Sequence, residues 1–160
     1  FAFHALFGVY LATRGSANVG RYNHARNWAY VFQRVTGGVA FLFVLAHLWE
    51  LRIQKWLFGM SHHAFFDTLV SHLGSVRFGL PLTAIFYLIG IGASVFHLAN
   101  GLVTFTMTWG LVTSRRAQGR LALVAAAFGT ILFLVGAGTV VSLSTGSVIP
   151  PASPREAPCP

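Results

Sequence analysis

Three histidines, His4, His47 and His97, stand inside long apolar runs, and four more, His24, His62, His63 and His72, stand in polar connections. An ionisable side chain inside an apolar span is costly to place and is by default a functional hypothesis, whereas a histidine in a connection is ordinarily just solvated. A single intramembrane histidine can simply hydrogen-bond across helices. Three of them on three separate runs, with no Asp or Glu inside those runs, argue instead for ligation, because a proton relay would want carboxylates. Neutral imidazoles from facing helices in a dry interior suit the iron of haem, clamped axially while the macrocycle fills the bundle core. The one cysteine, Cys159, lies in a Pro-rich tail, so no disulfide framework and no Cys-ligated metal or iron–sulfur site is available within this chain. Any cofactor must hang on histidine.

The elements that position these residues follow from composition. Hydrophobic residues make up 55% of the 160 residues and charged residues only 9%, far from the roughly one-quarter charged residues of soluble domains. The formal charge of +8 comes from 11 basic and 3 acidic residues. These bases lie between apolar runs, with no basic and aromatic stripe, which excludes nucleic acid as a partner and points to membrane lipid. The fold class expected is all-α, a transmembrane helical bundle with four helices visible. Residues 1–13 are too short for the about 20 residues a span needs and read as the second half of a helix. Residues 28–49 form the second span. The third starts near Pro81 within the uncharged stretch 78–114 and runs to about Trp109, and residues 121–148 form the fourth. Residues 61–75 are expected to hold a short amphipathic helix at the interface. Residues 1–148 thus make one transmembrane domain and 149–160 a disordered Pro-rich tail. The chain opens at Phe1 inside an apolar run, with no Met, basic region or small-residue cleavage site, so it is read as partial and not as carrying a signal peptide.

Threading the spans back and forth puts Arg14, Arg21, Arg26, Arg115, Arg116 and Arg120 on one side with no acid, the side expected to be cytoplasmic. Depth then sorts the histidines. His4 precedes Arg14 by ten residues, about 15 Å, which is near the bilayer midplane, and His97 lies near the middle of its span. Those two match. His47 lies about 20 residues past Arg26, roughly 30 Å down, too far to join the same haem easily, so any partner it has lies outside this chain. Gly8 and Gly101 each follow a midplane histidine by four and open the same face to a flat ring, or else serve close helix packing. Arg34 is at a level that suits a haem propionate, or snorkels to the interface. Glu50, beside Trp49 and three residues after His47, could exchange protons with a quinone headgroup, or simply end the helix and pair with Lys55 or Arg52.

A family resemblance rests on His4-Ala5-Leu6-Phe7-Gly8-Val9-Tyr10, on Arg26-Asn27-Trp28 with Gln33-Arg34-Val35-Thr36-Gly37, on His47-Leu48-Trp49-Glu50-Leu51-Arg52-Ile53-Gln54, and on Phe96-His97-Leu98-Ala99-Asn100-Gly101-Leu102 with Thr108-Trp109-Gly110. Together they resemble the single-subunit, di-haem cytochrome b anchor of bacterial succinate:quinone oxidoreductases and fumarate reductases. The resemblance covers most of residues 1–118. It implies five helices, two haems b held by bis-histidine ligation, and flavoprotein and iron–sulfur subunits docked on the cytoplasmic face. It also implies a quinone partner, menaquinone in the usual case, and a bacterial cytoplasmic membrane. His4 and His97 would hold the haem nearer the catalytic subunits and His47 the distal one, whose second ligand lies on a first helix not contained in this sequence. One bis-histidine site is therefore complete within the chain. The rival readings are the cytochrome b anchor of another respiratory dehydrogenase or hydrogenase, and a haem-free structural anchor. A small transporter would need polar paths that these spans lack.

Overall fold

The computed structural model describes residues 1–59 and 62–147; the expected tail at 149–160, with Cys159, lies outside the described residues. Among the described residues six α-helices follow one another: α1 Ala2–Arg14, α2 Ala25–Leu48, α3 Gln54–Phe58, α4 His62–Leu73, α5 Leu82–Thr108 and α6 Arg115–Ser144. Among the described residues there is no strand, only an isolated bridge between Arg77 and Leu80. Three stretches are long and apolar enough to cross a membrane, Ala25–Leu57, Leu82–Thr108 and Arg115–Ser144. The all-α membrane bundle expected from the sequence is the architecture found.

Three boundaries differ from expectation, each for a local reason. The second span opens at Ala25, after His24 in extended conformation, so Arg26 sits in its first turn. It does not end at Trp49: a π-helical segment, Trp49–Ile53, carries the chain directly into α3, which stops where Gly59 takes a left-handed conformation with φ 65°. The last span starts at Arg115, because the Ser114 side chain accepts a hydrogen bond from the Ala117 N–H at 3.2 Å and caps the helix there. Arg115, Arg116 and Arg120 therefore ride on helix turns and not in a loop. α4 occupies the segment where a short helix is expected.

α5 is the central element, packed against α2 on one side and α6 on the other, while α1 lies on α2. Small residues bring α5 and α6 close. A β-carbon at Gly129 would stand 3.2 Å from the Ala99 β-carbon, and one at Gly136 would stand 2.9 Å from Ile91. Without a hydrophobic force between helices in lipid, this close approach is what dispersion and packing require. The remaining apolar surface, such as Leu123, Val124, Ile131, Leu134 and Val135 on α6, is exposed, as lipid-facing residues are. Arg26 on α2 donates to the Gln118 Oε1 on α6 at 2.7 Å, which brings the two basic segments to the same end of the bundle.

At the opposite end Phe43, Leu73, Ala84, Tyr87, Val140 and Leu143 form the buried core, uniting α2, α4, α5 and α6. Gly90 on α5 makes room for Phe43: a β-carbon there would stand 2.2 Å from two carbons of the phenyl ring. Gly90→Ala is expected to destabilise the α2–α5 contact by about 1–3 kcal/mol despite its better helix propensity, read as earlier thermal loss of the folded, detergent-solubilised protein. Gly38→Ala on α2, with nothing within 4 Å of the added carbon, is the matched control.

Candidate functional site

α1 and α5 bring His4 and His97 together. Their ring centres lie 6.2 Å apart and their planes are nearly perpendicular, at 87°. A metal-bound imidazole nitrogen sits about 2 Å from its metal, so two rings on opposite sides of one metal ion have centres roughly 6 Å apart. The observed separation suits that arrangement.

The His97 ring is held in one tautomer. Its Nδ1 lies 3.1 Å from the main-chain oxygen of Gln33 on α2, and because a carbonyl can only accept, Nδ1 carries the hydrogen and Nε2 keeps a lone pair. Such a second hydrogen bond on the far nitrogen is what fixes a ligating histidine. The Gln33 side chain returns the contact, donating from Nε2 to the His97 carbonyl at 3.1 Å. Asn100, one turn on, donates to Gln33 Oε1 at 2.7 Å and to the Ala29 carbonyl at 3.3 Å. Polar groups in a membrane interior must be satisfied internally, and here α2 and α5 satisfy each other at the level of His97. Gly37 presses on the same ring, with its absent β-carbon 2.8 Å from the His97 Cε1.

His47 belongs to a different level. It follows Gln33 by 14 residues on α2, roughly 21 Å along the axis. Its ring packs against Phe43 at 5.7 Å and Tyr87 at 5.8 Å between centres, and its Nδ1 is buried with no hydrogen-bond partner among the described residues. A buried nitrogen without a hydrogen-bond partner in an aromatic setting is uncommon and costly. Among the described residues no cluster of three or more His, Cys, Asp or Glu could hold a bare metal ion.

The other singled-out residues have distinct surroundings. Arg34 lays its guanidinium over the Tyr30 ring, 3.4 Å from the centre, beneath the Gly15 backbone, and its Nε is buried and unpaired among the described residues. Gly8 faces open space, whereas Gly101 faces the Gln33 amide, 3.3 Å from where a β-carbon would stand. Trp49 opens the π-helical segment and is 54% exposed. Glu50, next along, accepts from the Tyr87 hydroxyl at 2.9 Å and pairs with the His72 Nδ1. Tyr87 is buried on α5 beside His47, and His72 is exposed on α4, so the carboxylate links the interior to the surface.

Sequence reasoning set His72 aside as a solvated loop histidine and did not single out Tyr87, Asn100 or the roles of Gln33 and Gly37. Gln33 and Asn100 did carry a signal, as amides inside apolar runs. Tyr87 and His72 carried none, since their meeting with Glu50 depends on how α4 folds back.

A family model described as the succinate dehydrogenase/fumarate reductase transmembrane subunit matches residues 11–136, a range that contains His47 and His97. A relative, the succinate dehydrogenase cytochrome b558 subunit of Bacillus subtilis (strain 168), is 39% identical over 116 residues, covering 72% of this chain and 54% of the relative. The chain thus spans about half the length of the curated relative it matches. No solved structure matches it. With the family match running from α1 to α6 across most of its length, the chain belongs to the succinate dehydrogenase/fumarate reductase transmembrane subunit family.

Proposed function

We propose that this chain is the haem b-carrying anchor of a succinate dehydrogenase or fumarate reductase in a bacterial cytoplasmic membrane, relaying electrons between an iron–sulfur subunit and quinone. The observation that carries the reading is the His4–His97 pair, with ring centres 6.2 Å apart and the His97 tautomer set for ligation through Nε2. The Bacillus relative's description as a cytochrome b558 subunit agrees with haem b as the cofactor. Bound haem would supply reversible one-electron transfer, and bis-histidine ligation would leave it no open position for oxygen.

The chain's own residues do the rest. His4 and His97 would hold one haem. The orphan nitrogen and aromatic packing of His47 suit a second, distal haem whose other ligand comes from outside these 160 residues. Arg34, semi-buried with an unpaired Nε, is placed to neutralise a propionate. Gly8, with open space before it, leaves room for the flat ring, and Gly101 serves the same face through Gln33. Glu50, flanked by Trp49, passes a proton to or from a quinone headgroup, menaquinone by the family's usual habit. The basic end formed by Arg14, Arg21, Arg26, Arg115, Arg116 and Arg120 faces the cytoplasm and receives the flavoprotein and iron–sulfur subunits.

The test is a reduced-minus-oxidised optical spectrum of the purified complex with pyridine haemochrome quantitation per subunit. Two haems b support both sites. One supports the His4–His97 site alone, and none sinks the reading in favour of a haem-free structural anchor.

A further inference from the structure

We infer that α2 carries a built seat for the His97 imidazole, made of Gly37, the Gln33 carbonyl and the Gln33–Asn100 amide pair, which sets the tautomer and plane in which His97 meets its metal. The inference rests on the proposed haem at His4 and His97, and it assigns positioning residues that touch the ligand and not the haem.

Three observations converge on it. The first is Gly37 itself. The three heavy atoms nearest to its missing β-carbon are Cε1, Nδ1 and Nε2 of His97, at 2.8, 3.1 and 3.8 Å, so the position is small for the sake of that one ring. Gly38, its neighbour on the same helix, has nothing within 4 Å. Glycine is a poor residue for a helix interior, and at Gly37 the space it leaves is filled by the imidazole edge. The second is that the Gln33 carbonyl, one helical turn before Gly37, takes the Nδ1 hydrogen, so ring contact and ring hydrogen bond come from one face of α2. The third is the reciprocal lock around them. Gln33 Nε2 donates to the His97 carbonyl, and Asn100 donates to Gln33 Oε1 and to the Ala29 carbonyl, so the amide is held from both ends and α2 is fastened to α5 at this level. The outcome is a ring plane at 87° to that of His4.

The physical consequence is spectroscopic. The low-field EPR feature of a low-spin ferric haem depends on the angle between its two axial imidazole planes, and the donor strength of an imidazole rises with the hydrogen bond on its far nitrogen. A methyl group at position 37 must displace the His97 ring, turning its plane and stretching the bond to Gln33.

The experiment uses the whole complex purified from its membrane, comparing Gly37→Ala, Gly38→Ala and His97→Ala with the parent by haem content, EPR of the oxidised protein and redox titration. The expected result is that Gly37→Ala shifts the low-field EPR feature of one haem and raises that haem's midpoint potential, while Gly38→Ala matches the parent in both. A Gly37→Ala protein with the parent's EPR feature and potential overturns the seat. Where Gly37→Ala does not assemble, Gln33→Leu is read in its place: it removes the lock but keeps the carbonyl, and an unshifted EPR feature there overturns the seat equally. His97→Ala with undiminished haem would instead overturn the underlying haem assignment, leaving the two failures distinguishable.

Discussion

His97→Ala is expected to remove one haem completely from the purified complex, while His47→Ala leaves that haem in place. The contrast follows from the bundle's geometry. The His97 and His4 ring centres lie 6.2 Å apart and His97 is pre-set by the Gln33 carbonyl, so in the proposed haem site its loss would remove both a ligand and the ring that the carbonyl orders. The substitution also deletes the ring that fills the hollow at Gly37. His47 sits roughly 21 Å further along α2 in the Phe43 and Tyr87 cluster, too far to share that metal. Its removal should cost only a distal haem. Optical difference spectra and pyridine haemochrome content of the two variants, with folded yield measured by size-exclusion in detergent, decide the matter. Equal loss in both variants would sink the two-level assignment.

That two-level arrangement was largely legible in the sequence, because depth in a membrane is a one-dimensional quantity. Counting residues from Arg14 and Arg26 at 1.5 Å per residue is enough to place His4 with His97 and His47 apart. Charge asymmetry likewise located the basic end, which the Arg26–Gln118 hydrogen bond brings together in three dimensions. The sequence was less informative about rotation around each helix axis. Gly101 was expected to open the face below His97, and it does lie there, but what fills the space before it is the Gln33 amide. Helical spacing says which residues share a face and is silent about what comes from the neighbouring helix. The extension of the second span through Trp49–Ile53 was hidden for a related reason: Glu50, Arg52 and Lys55 look like the charged end of a helix, yet a π-helical segment carries the backbone on while Glu50 finds Tyr87 and His72 beside it.

The partners of Glu50 lead to the second large effect. Glu50→Gln is expected to slow succinate-driven reduction of a menaquinone analogue by about 100-fold, the lower range for loss of a positioned acid–base group, with the haem spectrum unchanged. The carboxylate accepts from the Tyr87 hydroxyl at 2.9 Å on its interior side and pairs with His72 on its outer side, while its side chain keeps 23% exposure and that of His72 48%. In the proposed quinone role, a proton entering from water would pass through this hydrogen-bonded chain to the interior beside His47. Glutamine occupies the same volume, and its carbonyl oxygen can still accept from Tyr87, so the local packing is kept while the proposed proton-carrying role is lost. His72→Ala exposes the carboxylate directly to water and is expected to cost about tenfold or less, since solvent can replace the imidazole as the outer partner. Electron delivery to a water-soluble acceptor that takes electrons ahead of the membrane should be the same in all three proteins, separating quinone chemistry from assembly. A Glu50→Gln complex that reduces the quinone analogue at the parent rate would show that the carboxylate serves only to fasten α4 to α5, and would move the search for the proton donor to other residues at that end of the bundle.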